Sequence, residues 1–130
     1  IIPVLQALQQ TAPVEMVLIE GLSYKEALEQ KLSCDVFVDQ IGELGYGING
    51  LEAFAMEIPV ASCLAPGFTD VYPRQPFIDV NAETLKMRLL ELVENPDRRR
   101  AIGRAGREWV QRHHDAKAVV QRIHELGGVE

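Results

Sequence analysis

The stretch GYGING, Gly45 to Gly50, sets glycines at 45, 47 and 50 just ahead of a segment that reads as a helix, INGLEAFAM. Glycines so spaced let a backbone approach a ligand closely, and the unpaired first-turn N–H groups and positive dipole end of the following helix suit a diphosphate. The same glycines suit a tight strand-to-helix turn with no ligand. Glu52 adds an ionisable group one turn further on. On a helical wheel it lies between Ile48 and Ala55 on one side and Met56 on the other, while Glu57 faces away. The helix is apolar nearly all round and is expected to be buried, so a carboxylate at its margin needs a partner. Ribose hydroxyls donating to it would serve. So would an internal salt bridge to an arginine such as Arg74.

GYGING also spells the Gly-x-Gly-x-x-Gly dinucleotide signature, which requires its first glycine almost directly after a strand and an acid at the end of the next strand to hold the ribose. The preceding strand ends near Val38 or Asp39, about six residues before Gly45, and the next one ends SCLAPG with no acid. A nicotinamide or flavin dinucleotide is therefore disfavoured, and no cofactor is expected. No metal site is expected either. His113, His114 and Asp115 adjoin, but neighbours on a helix point about 100° apart and do not converge, which reads as a surface pair at a helix end. Cys34 and Cys63 lack metal spacing and read as small core residues.

The elements that must position the glycine turn follow from hydrophobic pattern. VEMVLIEG, Val14 to Gly21, is a continuous apolar run ended by glycine, the pattern of a strand covered on both faces. In SYKEALEQKL, Ser23 and Glu26 are spaced as a capping box, and Tyr24, Ala27, Leu28 and Lys31-Leu32 carry helical periodicity. DVFVDQ and PVASCL read as strands on either side of the INGLEAFAM helix. The alternation of strand and helix predicts a Rossmann-like α/β fold, a parallel sheet flanked by helices with right-handed crossovers, whose ligands bind beyond the carboxyl ends of the strands. After the turn-rich APGFTDVYPRQP, FIDV is a further strand, with Asn81 placed to cap the helix AETLKMRLLELVE. NPD opens another helix with Pro96 in its first turn, running through Trp109, a core anchor, to about His113, and Asp115 caps a last one ending before Gly127-Gly128. These form a C-terminal helical tail. Arg100, Arg104 and Arg107 with Gln111 make a basic stripe opposite Ile102, Ala105 and Trp109, better suited to a solvated face than to anionic lipid.

The 130 residues suffice for one domain, 1–130, with its own core. With 47% hydrophobic and 25% charged residues the composition is that of a soluble globular protein, and no apolar run approaches the roughly 20 residues needed to cross a bilayer. A net charge of −6 repels a phosphate backbone, so nucleic acid is not an expected partner and any anionic ligand must be held by a local site. Two cysteines and no signal peptide point to a reducing cytoplasm. The chain begins at Ile1 in an apolar helix-like segment, IIPVLQALQQ, and reads as part of a longer protein.

The run CDVFVDQ…GYGINGLEAFAMEIPVAS resembles the C-terminal, nucleotide-sugar-binding domain of GT-B glycosyltransferases, especially the retaining enzymes of glycosyltransferase family four, the "group 1" family. Members show AD opening a strand, a loop of the form E-G-F-G, then LEAMACGTPVVAS. The resemblance extends over roughly Val14 to Ala118, including NPDRRRAIGRAGREWVQRHHD. It implies that Glu52 binds the nucleotide ribose, that the backbone of Gly45, Tyr46, Gly47, Ile48 and Asn49 meets the donor sugar and diphosphate, and that Gly21, Leu22 and Ser23 lie near the base. The family's first glutamate stands eight positions before the second, where this chain has Leu44. Glu43, one residue off, is the candidate catalytic carboxylate, and Gln40 or Asp39 are alternatives for the donor-sugar contact. The implied reaction moves a sugar from a nucleoside diphosphate to an acceptor hydroxyl with retention, as in polysaccharide assembly, without an essential metal. The carbohydrate or glycolipid acceptor would sit on an N-terminal domain, with membrane contact at most peripheral, at the inner face. The family's basic residues for the diphosphate are not supplied by Ile1 to Thr11, so these residues alone are expected to be catalytically silent. Two alternatives stand beside this expectation: another GT-B nucleotide-sugar enzyme, such as a sugar 2-epimerase relative, and a non-catalytic α/β interaction module.

Overall fold

In a computed structural model that describes residues 1–41 and 45–127, short parallel strands alternate with helices. Helix α1 (Ile2–Thr11) and helix α2 (Tyr24–Leu32) come first, followed by strand β1 (Phe37–Val38). Helix α3 (Ile48–Ala55), strand β2 (Val60–Ser62), the one-turn helix α4 (Phe68–Val71) and strand β3 (Ile78–Asp79) complete the sheet region. Helices α5 (Leu85–Glu94), α6 (Pro96–His114) and α7 (Ala116–Gly127) close the chain.

The sheet has the order β1-β2-β3, parallel throughout, with Phe37 opposite Val60, Val38 opposite Ala61, and Ala61 opposite Ile78. Alternation along each strand sends Phe37, Val60 and Phe77 to one face and Val38, Ala61 and Ile78 to the other. On the first face, α3 and α6 bring Ala53, Phe54 and Trp109 onto Phe77 and Val60. On the second, Leu8 of α1 and Leu85 and Leu89 of α5 cover Ala61 and Val80. The expected α/β architecture with a helical tail is thus present, as three layers with the sheet in the middle.

Two expectations need correction. Val14 to Gly21 forms no strand: Val17 is 36% and Leu18 52% exposed, and the Met16 N–H is taken by the Gln9 side chain at 2.6 Å rather than by a neighbouring strand. Apolar character calls for burial but supplies no ladder partner, and among the described residues β1 is paired only with β2. Asn81 does not cap a helix beginning at Ala82. Its Oδ1 accepts from the Glu83 and Thr84 N–H groups at 2.9 Å each, closing a turn, and the helix starts at Leu85. The capping box of α2 forms as the spacing requires: the Glu26 N–H donates to Ser23 Oγ at 3.3 Å and the Ser23 N–H to Glu26 Oε2 at 2.9 Å. The caps at Asn95 and Asp115 form too.

Candidate functional site

The glycine turn lies beyond the carboxyl end of β1. Gly45 is buried with φ +72°, a left-handed conformation that glycine adopts without strain. Tyr46 turns its ring into the core, stacked on Phe77 at 4.8 Å between centroids and edge-on to Trp109 at 5.9 Å, with its hydroxyl 3.3 Å from His114 Nε2. Burial pushes the Tyr46 phenol above its ordinary pKa. Gly47 is the N-cap of α3 and its N–H donates to Asp39 Oδ2 at 2.8 Å. Asp39 therefore braces the turn, and Gly50 leaves room for it: a Cβ there would lie 2.7 Å from Asp39 Oδ2. The N–H groups of Ile48 and Asn49, in the first turn of α3, have no intrahelical acceptor.

Glu52 stands one turn into α3, its side chain 19% exposed. Its Oε2 accepts from Lys31 Nζ at 2.5 Å and its Oε1 from the Tyr24 hydroxyl at 2.8 Å. Lys31 is almost wholly buried, donates also to Asn49 Oδ1 at 2.9 Å, and lies over the Phe37 ring at 5.4 Å. Burial pushes the Glu52 carboxyl up, but hydrogen bonds from Lys31 and Tyr24 and the lysine charge outweigh it and hold the group below its usual value. The same contact raises the Tyr24 phenol, first through the hydrogen bond to Glu52 and then through its charge.

Glu52 does have a charged partner, but it is Lys31, not Arg74. Nor is α3 buried all round: Ile48 is 73% exposed. Ser23, through its capping box, sets Tyr24 as the first residue of α2, so the Gly21–Ser23 loop leads directly into the side chain that reaches Glu52. Gly21 takes φ +69° and Leu22 is exposed. The Gln40 carbonyl accepts from the Cys63 N–H and Ser62 Oγ, and its side-chain amide lies beside the turn: a Cβ on Gly47 would stand 3.2 Å from Gln40 Nε2. Glu43 and Leu44 lie outside the described residues. The histidines are not a surface pair. His113 and His114 lie 5.2 and 5.1 Å from the Trp109 ring, and His113 also meets Tyr72. Burial, aided by neighbouring positive charge, holds both imidazoles below their ordinary pKa. No group of His, Cys, Asp and Glu suited to a metal exists among the described residues.

Lys31 and Tyr24 were not singled out as site residues, although their spacing held the signal. Positions 24, 27, 28 and 31 share one helical face with Ala27 and Leu28. A lysine on an inward face must find an anion.

Together these features define a Rossmann-like α/β domain with a braced glycine turn and a fixed carboxylate at one edge of a parallel sheet. The chain belongs to the Glycosyl transferase-like family, whose model matches residues 47–125, a span containing Gly47, Glu52 and the whole of α6. Membership points to glycosyl transfer as the chemistry. No curated protein and no solved structure matches the chain. No helix among the described residues is long and apolar enough to cross a membrane.

Proposed function

We propose that this chain is the donor-binding domain of a retaining GT-B glycosyltransferase, which holds a nucleoside diphosphate sugar while a sugar passes to an acceptor hydroxyl on a second domain. The observation that supports it most is the Glu52 carboxylate, ionised, held by Lys31 from below and facing solvent at its outer margin, one turn after a glycine N-cap. Such a group accepts hydrogen bonds from ribose hydroxyls. The first-turn N–H groups of Ile48 and Asn49 face the charge of a diphosphate. Asp39 tightens the turn but adds negative charge beside it, so most of the cation needed by the leaving diphosphate comes from residues outside this turn.

Binding of UDP, GDP, ADP, their sugar nucleotides and NAD, read by ligand-observed NMR, tests the proposal. Saturable binding of one nucleoside diphosphate class, with NAD silent, is expected. Glu52→Gln alone would strand the Lys31 charge, so the paired variant Lys31→Met/Glu52→Gln is the companion. Both are expected to lose about tenfold in affinity, the order of one hydrogen bond to a charged group. Equal binding by wild type and both variants, or none by wild type, overturns the assignment.

A further inference from the structure

The Tyr24 side chain has no packing reason to be where it is. It is 69% exposed, yet its hydroxyl reaches from the first turn of α2 to α3 and donates to Glu52 Oε1 at 2.8 Å. The two carboxylate oxygens are served very differently. Oε2 has a buried ammonium that fixes the side chain and stays in place. Oε1, on the solvent side, has only a phenol on an exposed ring. Ordering such a ring costs rotamer entropy that burial does not return.

From this asymmetry we infer that Tyr24 is a displaceable latch on the donor site, its hydroxyl occupying on Glu52 Oε1 the place of a ribose hydroxyl. The inference rests on the donor-binding reading and deepens it. Lys31 orients the carboxylate; Tyr24 covers it until a ligand with ribose hydroxyls takes over the acceptor. The phenol then swings into water, where an exposed ring with few contacts loses little. Exchange of one O–H···O⁻ bond for another leaves the ligand only the difference, so the latch lowers affinity for every ligand that uses this oxygen. Among the described residues neither apolar cluster includes Tyr24, so no packed neighbour holds the ring where it is.

Tyr24→Phe keeps the ring and removes the competing hydroxyl. Affinities are to be measured by calorimetry or NMR titration for whichever of UDP, GDP and ADP binds wild type best, and for its 2′,3′-dideoxy counterpart, which has no hydroxyl to offer. The expected result is that Tyr24→Phe binds the ribonucleotide about threefold to tenfold more tightly, the order of one net hydrogen bond. Its affinity for the dideoxy compound stays the same, and the gain disappears in the Lys31→Met/Glu52→Gln background. Equal or weaker ribonucleotide binding, or the same gain for both ligands, overturns the latch while leaving the donor site standing. Binding of no nucleotide by wild type removes the donor reading, and the latch with it.

Discussion

Helix α3 has two faces built on opposite principles. Its inner face, Gly50, Ala53 and Phe54, is fully buried, and α6 lies so close against this end of the fold that neither Gly103 nor Gly106 has room for a methyl group. On its outer face Ile48 and Asn49 are exposed and Glu52 is partly so, and Asn49 and Glu52 are tied to α2 by hydrogen bonds from Lys31 and Tyr24. The inner face fixes where α3 stands; the outer face carries its charge. A helix seated by its inner face, with a buried ammonium beneath the carboxylate on its outer one, presents that carboxylate at a constant place.

The inner face should be the easier one to break. A Cβ on Gly106 would stand 2.0 Å from Phe54 Cδ1, and one on Gly103 1.9 Å from the Glu57 carbonyl oxygen. Phe54 is fully buried and Glu57 meets Gly103 with backbone, so neither yields cheaply. Gly106→Ala and Gly103→Ala are each expected to cost about 3 kcal/mol, the upper part of the usual overpacking range, measured by urea denaturation.

The outer face should break unevenly. Glu52→Gln leaves the buried Lys31 charge with Asn49 Oδ1 but no anion and should cost about 2 kcal/mol; Lys31→Met leaves a carboxylate that still reaches water and should cost about half that. The pair also has a pH signature. Because the folded-state pKa of Glu52 is depressed, its contribution is present above the unfolded value of about 4.3 and is lost as the pH falls through the folded one. Lys31→Met removes that depression, so its stability deficit against wild type, read by urea denaturation followed by circular dichroism, should be largest near neutrality and shrink as the pH falls below about 4.3.

The smallest effect sharpens the comparison in the stabilising direction. Glu57, just past the end of α3, has φ +63°, which a side chain disfavours. Its exposed ion pair with Arg107, at 3.3 Å, adds little. Glu57→Gly should raise stability by about 0.5 kcal/mol, the relief of strain outweighing the added freedom of the unfolded chain, and thermal melts would show it.

What could be read beforehand divides along the same lines. Asp35 to Gln40 and Gly45 to Ser62 were legible because local rules agree there: glycines ahead of a helix, and a short apolar strand on either side of it. The tail helices were legible from their caps, Asn95 with Pro96 and then Asp115. The Val14–Gly21 segment was misjudged because hydrophobicity says that a stretch is drawn inward, not that a backbone waits to pair with it. The partner of Glu52 was misassigned because an ion pair spanning 21 residues between two helices leaves no local trace. Its only sign was a lysine on the inward face of α2. His113 and His114 do diverge as adjacent helical residues must, yet both flank Trp109, which stands one turn earlier.

Trp109 also gives the molecule a built-in optical reporter. It is the single tryptophan of the sequence, 4% exposed, edge-on to the Tyr46 ring of the glycine turn and within 5.2 Å of both histidine rings. Its emission therefore arises from one site, shielded from water and next to the glycine turn. Movement of the turn changes the ring against which that excited state relaxes, and protonation of either imidazole places a quenching charge beside it. Intensity at fixed pH reports the turn, and intensity against pH reports the histidines.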